Sequence, residues 1–475
     1  MSLTDLNARV RAELDMLAHG AATWVKPHTH PNGHVYDVVI VGGGQCGLGA
    51  AFGLMRERIS NILVIDENPA GGEGPWDTYA RMITLRSPKH LTGIDLGVPS
   101  LTFRAWWQAQ HGEAGWAELD KASRQDWMAY LRWFRDVLAL PVRNETRLTL
   151  IEPVPEAKGG LYRLHTENGE RLLARKVVLA TGIQGGGEWH VPPLIADSLP
   201  RTLYAHTSEM IDFAALPGKR IGILGGGASS FDNAQHALKA GVAEAHVFMR
   251  RKALPRVNPI RHMEASGLID RFAILSDADK YAVMAAFFRH NQPPTNDTFD
   301  RACALPGFHL HLGAPWEAVA ERDGRAVVTT PDGEHVFDLL VLSTGLITDP
   351  ALRPELRLIE PGILRWRDTF VPAPEMANAL IDAHPYLGED FAFLGRNPEA
   401  EHIVGGIFPF NYSALINFGV SASALSGLKQ ALPKLVKGVA DGLFLDDRAA
   451  MLEAYFAYAE PEFMGQWPPE TREAT

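Results

Sequence analysis

The chain has 475 residues, of which 46% are hydrophobic and 21% charged, and its formal charge is −11 at pH 7. That length exceeds one ordinary hydrophobic core, so two or three domains are expected. An acidic surface repels phosphate backbones and anionic lipid, which argues against nucleic-acid and membrane partners. The two cysteines, Cys46 and Cys303, lie far apart in sequence and in no metal-ligand spacing. They exclude a disulfide framework and suit a reducing compartment, so a cytoplasmic location is expected.

The N-terminal MSLTDLNARVRAELDML carries scattered charges and no apolar centre, unlike a signal peptide. In HTHPNGH, His28, His30 and His34 have a metal-like look, but no Cys, Asp or Glu completes a set nearby. We read residues 1–34 as a docked N-terminal extension and expect no metal. DVVIV (37–41) then has the continuous apolar character of a parallel strand covered on both faces. Gly42, Gly44 and Gly47 follow at GxGxxG spacing, with Gln45 and Cys46 inside the loop. The first glycine allows the tight turn, the second a close approach to a pyrophosphate, and the third close helix–strand packing. The helix that follows points its positive dipole end at the phosphates. A second apolar strand, NILVID (61–66), ends on Asp66, followed by Glu67; a carboxylate there accepts hydrogen bonds from ribose hydroxyls. ENPAGGEGPW adds Gly71 and Gly72 after that acid, a stretch that lets the chain pass close to a flavin diphosphate. The tryptophan-rich block 105–138 has helical spacing around DWMAYLRWF and reads as core packing of a helical excursion.

GILGGGASSF repeats the strand–turn–helix plan, with Gly225, Gly227 and Ser230 at GxGxxS spacing around Ala228 and Ser229. The next strand, HVFMRR (246–251), ends on Arg250 and Arg251 where the first unit ends on an acid. Guanidinium groups grip a 2′-phosphate that a carboxylate would repel. The first loop therefore suits FAD and the second NADPH. Residues 252–312 read as a helical insertion covering the cleft, since long excursions of this kind are often lids or binding elements. The apolar stretch 403–428 is broken by Pro409, Asn411 and Asn417, so it suits a buried wall near a ligand better than a membrane span. The tail QWPPETREAT is expected to be loose.

Paired nucleotide loops imply that one cofactor delivers hydride to the other. Disulfide reduction needs two redox cysteines next to the flavin, and iron–sulfur transfer needs a cysteine cluster; the chain has neither. Oxygen, a carrier protein or a small oxidant is left as acceptor. The order of motifs resembles the class B flavin-dependent monooxygenases, which include flavin-containing, N-hydroxylating and Baeyer–Villiger enzymes. The resemblance runs from Val35 to about Leu428. It takes in the FAD loop, the GG…W segment with Trp76, KVVLATG (176–182) with Ala180, Thr181 and Gly182, and YAHTSEMIDF with His206 and Ser208. It continues through the NADPH loop to DLLVLSTGL with Thr344 and Gly345. The F-x-G part of the family's F-x-G-x-x-x-H-S element is absent, which weakens a Baeyer–Villiger assignment. Leu148 joins the cofactor-binding residues that the resemblance implies.

The resemblance further implies that NADPH reduces FAD, that O₂ adds at flavin C4a, and that retained NADP⁺ shelters the hydroperoxide. That peroxide passes one oxygen to a nucleophilic nitrogen or sulfur. Water exclusion protects it, and FRAWWQAQ (103–110) and 403–428 are candidates for the walls, or are ordinary core. The flavin-containing branch has an asparagine that contacts flavin and oxygen. In TLRSPKHLTG (84–93) Leu85 stands near that asparagine's place, and Arg86 and Lys89 are the candidates for positive charge beside the flavin. In FPFNYSALINF, Asn411, Tyr412 and Ser413 precede a helix whose N-terminus suits the flavin pyrimidine carbonyl.

The expected fold is α/β with two Rossmann-type domains. An FAD domain is built from 35–200 and 343–475, and an NADPH domain at 201–342 is inserted into it. The expected function is NADPH- and O₂-dependent monooxygenation of a small nucleophilic metabolite by a protein for which a homodimer stays open. The alternatives are a reductase that passes electrons to a carrier protein or small oxidant, and a non-enzymatic flavin-binding sensor. Substrate identity does not follow from motifs that bind cofactors.

Overall fold

The computed structural model describes residues 2–154, 160–422 and 424–465; the expected loose tail, 466–475, lies outside the described residues. Helix α1 (Leu3–Met16) opens with a capping box between Ser2 and Asp5 and buries Leu6, Val10 and Leu14, the i, i+4, i+8 stripe of an amphipathic helix. The N-terminal extension is thus docked, and its histidines diverge: His28 meets Asp447 at 2.8 Å and His34 meets Asn61 at 2.7 Å.

Strand β1 (Gly33–Val41) leads through the first glycine loop into α2 (Gln45–Arg56) and then β2 (Ile62–Ile65). Helices α3 (Phe103–Glu118) and α4 (Arg124–Val137) form the excursion, and they bury Trp106, Trp116, Trp127 and Trp133 in the same core as the sheet. Strands β3 (Val142–Arg143), β4 (Leu148–Pro153), β5 (Tyr162–Thr166) and β6 (Arg171–Leu179) complete a sheet of order β3-β2-β1-β6-β5-β4. Its β3-β2-β1-β6 half is parallel and its β6-β5-β4 half antiparallel.

The second sheet begins with β7 (Tyr204–His206) and β8 (Arg220–Leu224), followed by α5 (Ala228–Lys239) and β9 (Glu244–Met249). Helices α6 (Asp277–His290) and α7 (Asn296–Cys303) belong to the insertion. Strand β10 (Phe308–Leu312) pairs in parallel with β9, so the insertion is not helical to residue 312. Alternating FHLHL in the sequence marks that strand; its half-exposed edge position hides the apolar run expected of a central parallel strand. A meander of β11 (Ala318–Arg322), β12 (Arg325–Thr330) and β13 (Gly333–Phe337) precedes β14 (Leu339–Leu342). The parallel order is β10-β9-β8-β14-β7, a Rossmann arrangement.

The chain crosses between sheets twice, and the two crossings pair as an antiparallel ribbon, Gly187–Trp189 against Leu346–Thr348. Strand β15 (Ile407–Phe408) then rejoins β6, and α8 (Leu425–Ala457) packs across α2. Gly49 and Gly53 permit that contact: a Cβ there would stand 2.7 Å from Leu432 and 2.5 Å from Val436. Buried ion pairs fix the far end of α8, Arg175 to Asp447 at 2.9 Å and Lys176 to Asp446 at 2.9 Å. The insertion reaches back to the first sheet's side of the molecule, where Phe272, Tyr281 and Met284 pack with Trp366, Ile381 and Ile416.

Candidate active site at the inter-domain cleft

The first loop meets the requirements of a phosphate cradle. Gly42 has φ 107°, and a Cβ there would lie 2.4 Å from Ala180 O. A Cβ on Gly47 would lie 1.8 Å from Gly42 O, so only glycine lets α2 sit this close to the strand end. Gly44 is the N-cap of α2 and offers no side-chain cap, which leaves first-turn amides for an anion. Asp66 is buried; it accepts from Gly43 N at 2.7 Å and from Asn68 N at 2.8 Å. The carboxylate thus holds the loop itself and keeps further lone pairs for a ribose. Glu67 is turned outward, 3.4 Å from Arg147. Buried Glu73 accepts from Gly71 N at 2.9 Å and from Asn144 at 2.7 Å, which ties the Gly71–Gly72 turn under the cradle. Trp127 Nε1 donates to Gln45 Oε1 at 3.2 Å, and Trp76 packs against Trp127. Burial pushes the Cys46 thiol up to about 12, which makes it inert packing. Leu148 opens β4 opposite Thr166, and it is Thr146, two residues earlier, whose N–H reaches Asp66 O at 2.8 Å.

The returning strand brings Ala180, Thr181 and Gly182 (φ 71°) to the same end of the sheet. Asn411, 1% exposed, clamps them: its Nδ2 donates to Thr181 Oγ1 at 3.1 Å and to Gly185 O at 3.3 Å. Its Oδ1 accepts from Ser413 N at 2.8 Å, and Tyr412 N donates to Gly182 O at 3.3 Å. Residues 230 positions apart in sequence therefore build one turn.

The second loop repeats the cradle. Gly225 has φ 134°, and a Cβ there would lie 2.4 Å from Ser343 O. Gly227 caps α5 without a side-chain bond, and nothing lies within 4 Å of the place a Cβ would take. Ala228 and Ser229 form the first turn, and fully buried Ser230 keeps its hydroxyl without a partner among the described residues. Arg250 is exposed just past β9, and Arg251 Nη2 donates to Arg289 O at 3.3 Å. Thr344 donates to His190 O, and Gly345 (φ 78°) accepts from His190 N at 2.9 Å.

Segment 79–89 straps the halves together, and both of its candidate cations have partners within the protein. Arg86 Nη2 donates to Asp232 Oδ2 on α5 at 2.7 Å, so its charge is spent on a bridge between the halves. Burial pushes the Asp232 carboxyl up, against the pull of Arg86. Lys89 donates to Trp116 O at 2.6 Å and to Leu119 O, and lies over the Trp116 ring; it caps the end of α3 rather than facing the cleft. Arg81, which no motif singles out, bonds Thr207 O at 3.1 Å and Glu209 O at 2.8 Å and is held down to about 10 by burial.

His206 is 2% exposed and stacks on Trp189, with centroids 4.9 Å apart. Its Nδ1 lies 2.7 Å from Ser208 Oγ and 3.2 Å from Ser208 N, and Nε2 makes no well-formed hydrogen bond among the described residues. Burial, outweighing the Glu209 carboxylate and the Gly345 carbonyl beside it, pushes His206 down to about 4. Tyr79 OH donates to Gln184 Oε1 at 3.0 Å, and its ring meets Trp189 edge-on.

FRAWWQAQ belongs to the core, with Phe103 and Trp106 buried against Tyr130. Within the 403–428 stretch, Phe408, Phe410 and Phe418 are buried beside the Thr181 turn. One polar cluster lies elsewhere: Glu244, His246 and His309 converge on the second sheet, unannounced by any single motif.

Two uncapped glycine cradles in two Rossmann sheets define a flavoprotein oxidoreductase with paired dinucleotide sites. Residues 39–184 match the FAD-NAD(P)-binding family model, and residues 116–284 match the L-lysine 6-monooxygenase/L-ornithine 5-monooxygenase model. The chain is 63% identical over 472 residues to the FAD-dependent urate hydroxylase of Xanthomonas campestris pv. campestris, covering 99% of each chain. L-lysine 6-monooxygenase from Pseudomonas syringae shares the fold at TM-score 0.66 and 18% identity, covering 86% of this chain and 99% of that one. The ornithine N-hydroxylase of Kutzneria sp. 744 does so at TM-score 0.65 and 17% identity, covering 86% and 99%. The chain belongs to the family of the FAD-dependent urate hydroxylase. It is an FAD- and NADP-binding oxidoreductase, a flavin-dependent monooxygenase, and no described helix is long and apolar enough to cross a membrane.

Proposed function

We propose that this protein uses NADPH and O₂ to hydroxylate urate, a small, planar, electron-rich heterocycle. The observation that carries this reading is the 63% identity over essentially the whole of the urate hydroxylase. FAD, when bound, takes hydride from NADPH and activates O₂ for transfer of one oxygen atom. The residues that would hold it are Gly42, Gly44, Gln45, Gly47, Asp66, Gly72 and Trp76 with the Thr181–Gly182 turn; the uncapped N-terminus of α2 supports this fit. Gly225, Gly227, Ser229, Arg250 and Arg251 would hold NADPH, with His206, Thr344 and Gly345 lining the approach. In domain terms, residues 35–200 and 343–475 serve FAD and 201–342 serve NADPH.

Each part of the chain has a physical task in that reaction. Asn411 fixes the Thr181–Gly185 turn, and buried Phe408, Phe410 and Phe418 exclude water from it. Arg81 and Arg86 hold the two halves in register, which sets hydride-transfer geometry. The imidazole of His206, kept neutral by burial, presents Nε2 without a well-formed partner to a bound carbonyl or phosphate. Tyr79, Gln184 and Trp189 offer an amide and two aromatic faces suited to a flat hydrogen-bonding ring. The separation of Cys46 and Cys303 as free thiols supports a cytoplasmic site of action. The exposed Tyr455 and Phe456 at the end of α8 support a homodimer, which light scattering would test.

Urate-dependent NADPH oxidation, with one atom from isotopically labelled O₂ found in the product, is the expected result. A second reading, oxygenation of an amine nitrogen, is favoured by the match of 116–284 to the lysine/ornithine monooxygenase model. L-lysine and L-ornithine in the same assay separate the two. NADPH oxidation driven by either amine and indifferent to urate would overturn the proposal.

A further inference from the structure

The face of the second sheet away from the glycine loop carries an arrangement that cofactor binding does not use. Strands β9 and β10 run parallel with His246 beside His309 and Phe248 beside His311. Side chains on a strand alternate, so Glu244, His246 and Phe248 share one face with His309 and His311. The nucleotide loop sits at the C-terminal ends of these strands, and Glu244 and His246 lie toward the opposite ends.

We propose that Glu244, His246 and His309 form a binding site for a divalent transition-metal ion of the zinc class. Their ligand atoms all lie within 4.8 Å of one another. A tetrahedral zinc ion holds nitrogen and oxygen ligands about 3.3 Å apart, given bonds of about 2.0–2.1 Å, so a small inward movement of side chains closes the set. His246 Nε2 stands 2.9 Å from Glu244 Oε2, and the His246 and His309 rings stack with centroids 4.3 Å apart. The other nitrogen of His246, Nδ1, lies 3.0 Å from His311 Nε2. Ligating histidines hold their second nitrogen in this way, which fixes ring orientation and tautomer. Two imidazoles and a carboxylate suit zinc over calcium or magnesium and leave a coordination position for water.

The surroundings give the site support on one side and access on the other. His246 is buried and His309 exposed, so an ion reaches the set from solvent and is held against the sheet. His335 on β13 stacks edge-on against His311 at 5.2 Å and holds the supporting histidine from above. Arg220 Nε bonds Glu244 Oε2 at 2.6 Å, which leaves Oε1 as the carboxylate oxygen for the ion. Bound metal clamps edge strand β10 to β9, so it stabilises the NADPH half directly.

The test uses untagged holoenzyme and zinc chloride alone, read by isothermal titration calorimetry and by thermal unfolding. Saturable binding near one zinc per chain, with a rise in Tm that chelator reverses, is expected. His309→Ala, at an exposed position, and Glu244→Gln abolish that binding while flavin content and NADPH oxidation stay at wild-type levels. His311→Ala weakens it by about 10- to 100-fold, as loss of a supporting partner does. His30→Ala leaves it intact, which separates this site from the N-terminal histidines. Absence of saturable zinc binding in the wild type, or its persistence in both His309→Ala and Glu244→Gln, overturns the proposal. The zinc-binding, unfolding and flavin-content readouts do not depend on the oxygenated substrate.

Discussion

Gly42 and Gly225 occupy equivalent turns: a Cβ on either would stand 2.4 Å from a carbonyl oxygen, that of Ala180 in the first half and Ser343 in the second. The halves part company three residues into each helix. At Gly47 even a methyl group would collide with the strand end, whereas Ser230 carries a side chain in the matching place and is still fully buried. Helix α2 is pressed between β1 and α8 through Gly47, Gly49 and Gly53, while α5 carries a polar, partly exposed face. The strand ends differ as well. Asp66 is locked into its loop by Gly43 and Asn68, and Arg250 stands free in solvent. One cradle is built into the core and the other is open at its rim. That contrast suits a resident cofactor on one side and a consumable one on the other.

The sharpest way to break this contrast is Gly47→Ala against Ser230→Ala. The first is expected to cost about 1–3 kcal/mol or more through overpacking and to yield protein largely without flavin. The second is expected to keep wild-type flavin content, and the ratio of flavin to protein absorbance reads both. Next in size, the double change Arg250→Ala/Arg251→Ala is expected to raise the KM for NADPH by about 10- to 100-fold, from about 1.5–3 kcal/mol of lost charged hydrogen bonding. NADH kinetics should not move, and equal losses with both nucleotides would remove the arginines from 2′-phosphate recognition.

A smaller effect is expected at the turn where Asn411 meets Thr181. Asn411→Ala leaves the Ser413 amide and the Gly185 carbonyl unpaired in the interior, at about 1–3 kcal/mol. Chemical denaturation measures that cost, and more H₂O₂ released per NADPH consumed is the expected functional sign. The smallest effect concerns pH. His206 is held near 4 by burial, below its ordinary 6.5, so the folded state binds this proton less readily than the unfolded chain. Its stabilising contribution is full above about pH 6.5 and is lost as pH falls toward 4. His206→Gln is expected to flatten that part of the acid limb of the stability curve, and an unchanged limb would assign it to other groups.

Both glycine loops were legible because their spacing is local: a strand, three small residues and a helix are written consecutively, and chain order places the ligand at the strand ends. The arginines after β9 were legible for the same reason. The charged residues of the strap were not. Nothing in RSPKH says that Arg86 meets Asp232, 146 positions on, or that Lys89 ends up on the carbonyls closing α3. Helix and strand periodicities are likewise mute about Arg81, whose partners are backbone carbonyls at 207 and 209. The extent of the insertion was misjudged because β10 alternates histidine with leucine at a sheet edge.

The sequence by itself determined the two nucleotide folds, their order, and the sign of charge at each strand end. Those properties arise from φ/ψ freedom, hydrophobic periodicity and formal charge within some thirty residues. Tertiary structure alone decided which cations are free and which are spent. It also brought Asn411 to Thr181, left His206 Nε2 without a well-formed partner among the described residues, and gathered Glu244, His246 and His309. Each depends on side chains brought together from distant segments, and an ionic or hydrogen-bonding partner is chosen by proximity in the folded chain rather than by proximity in sequence.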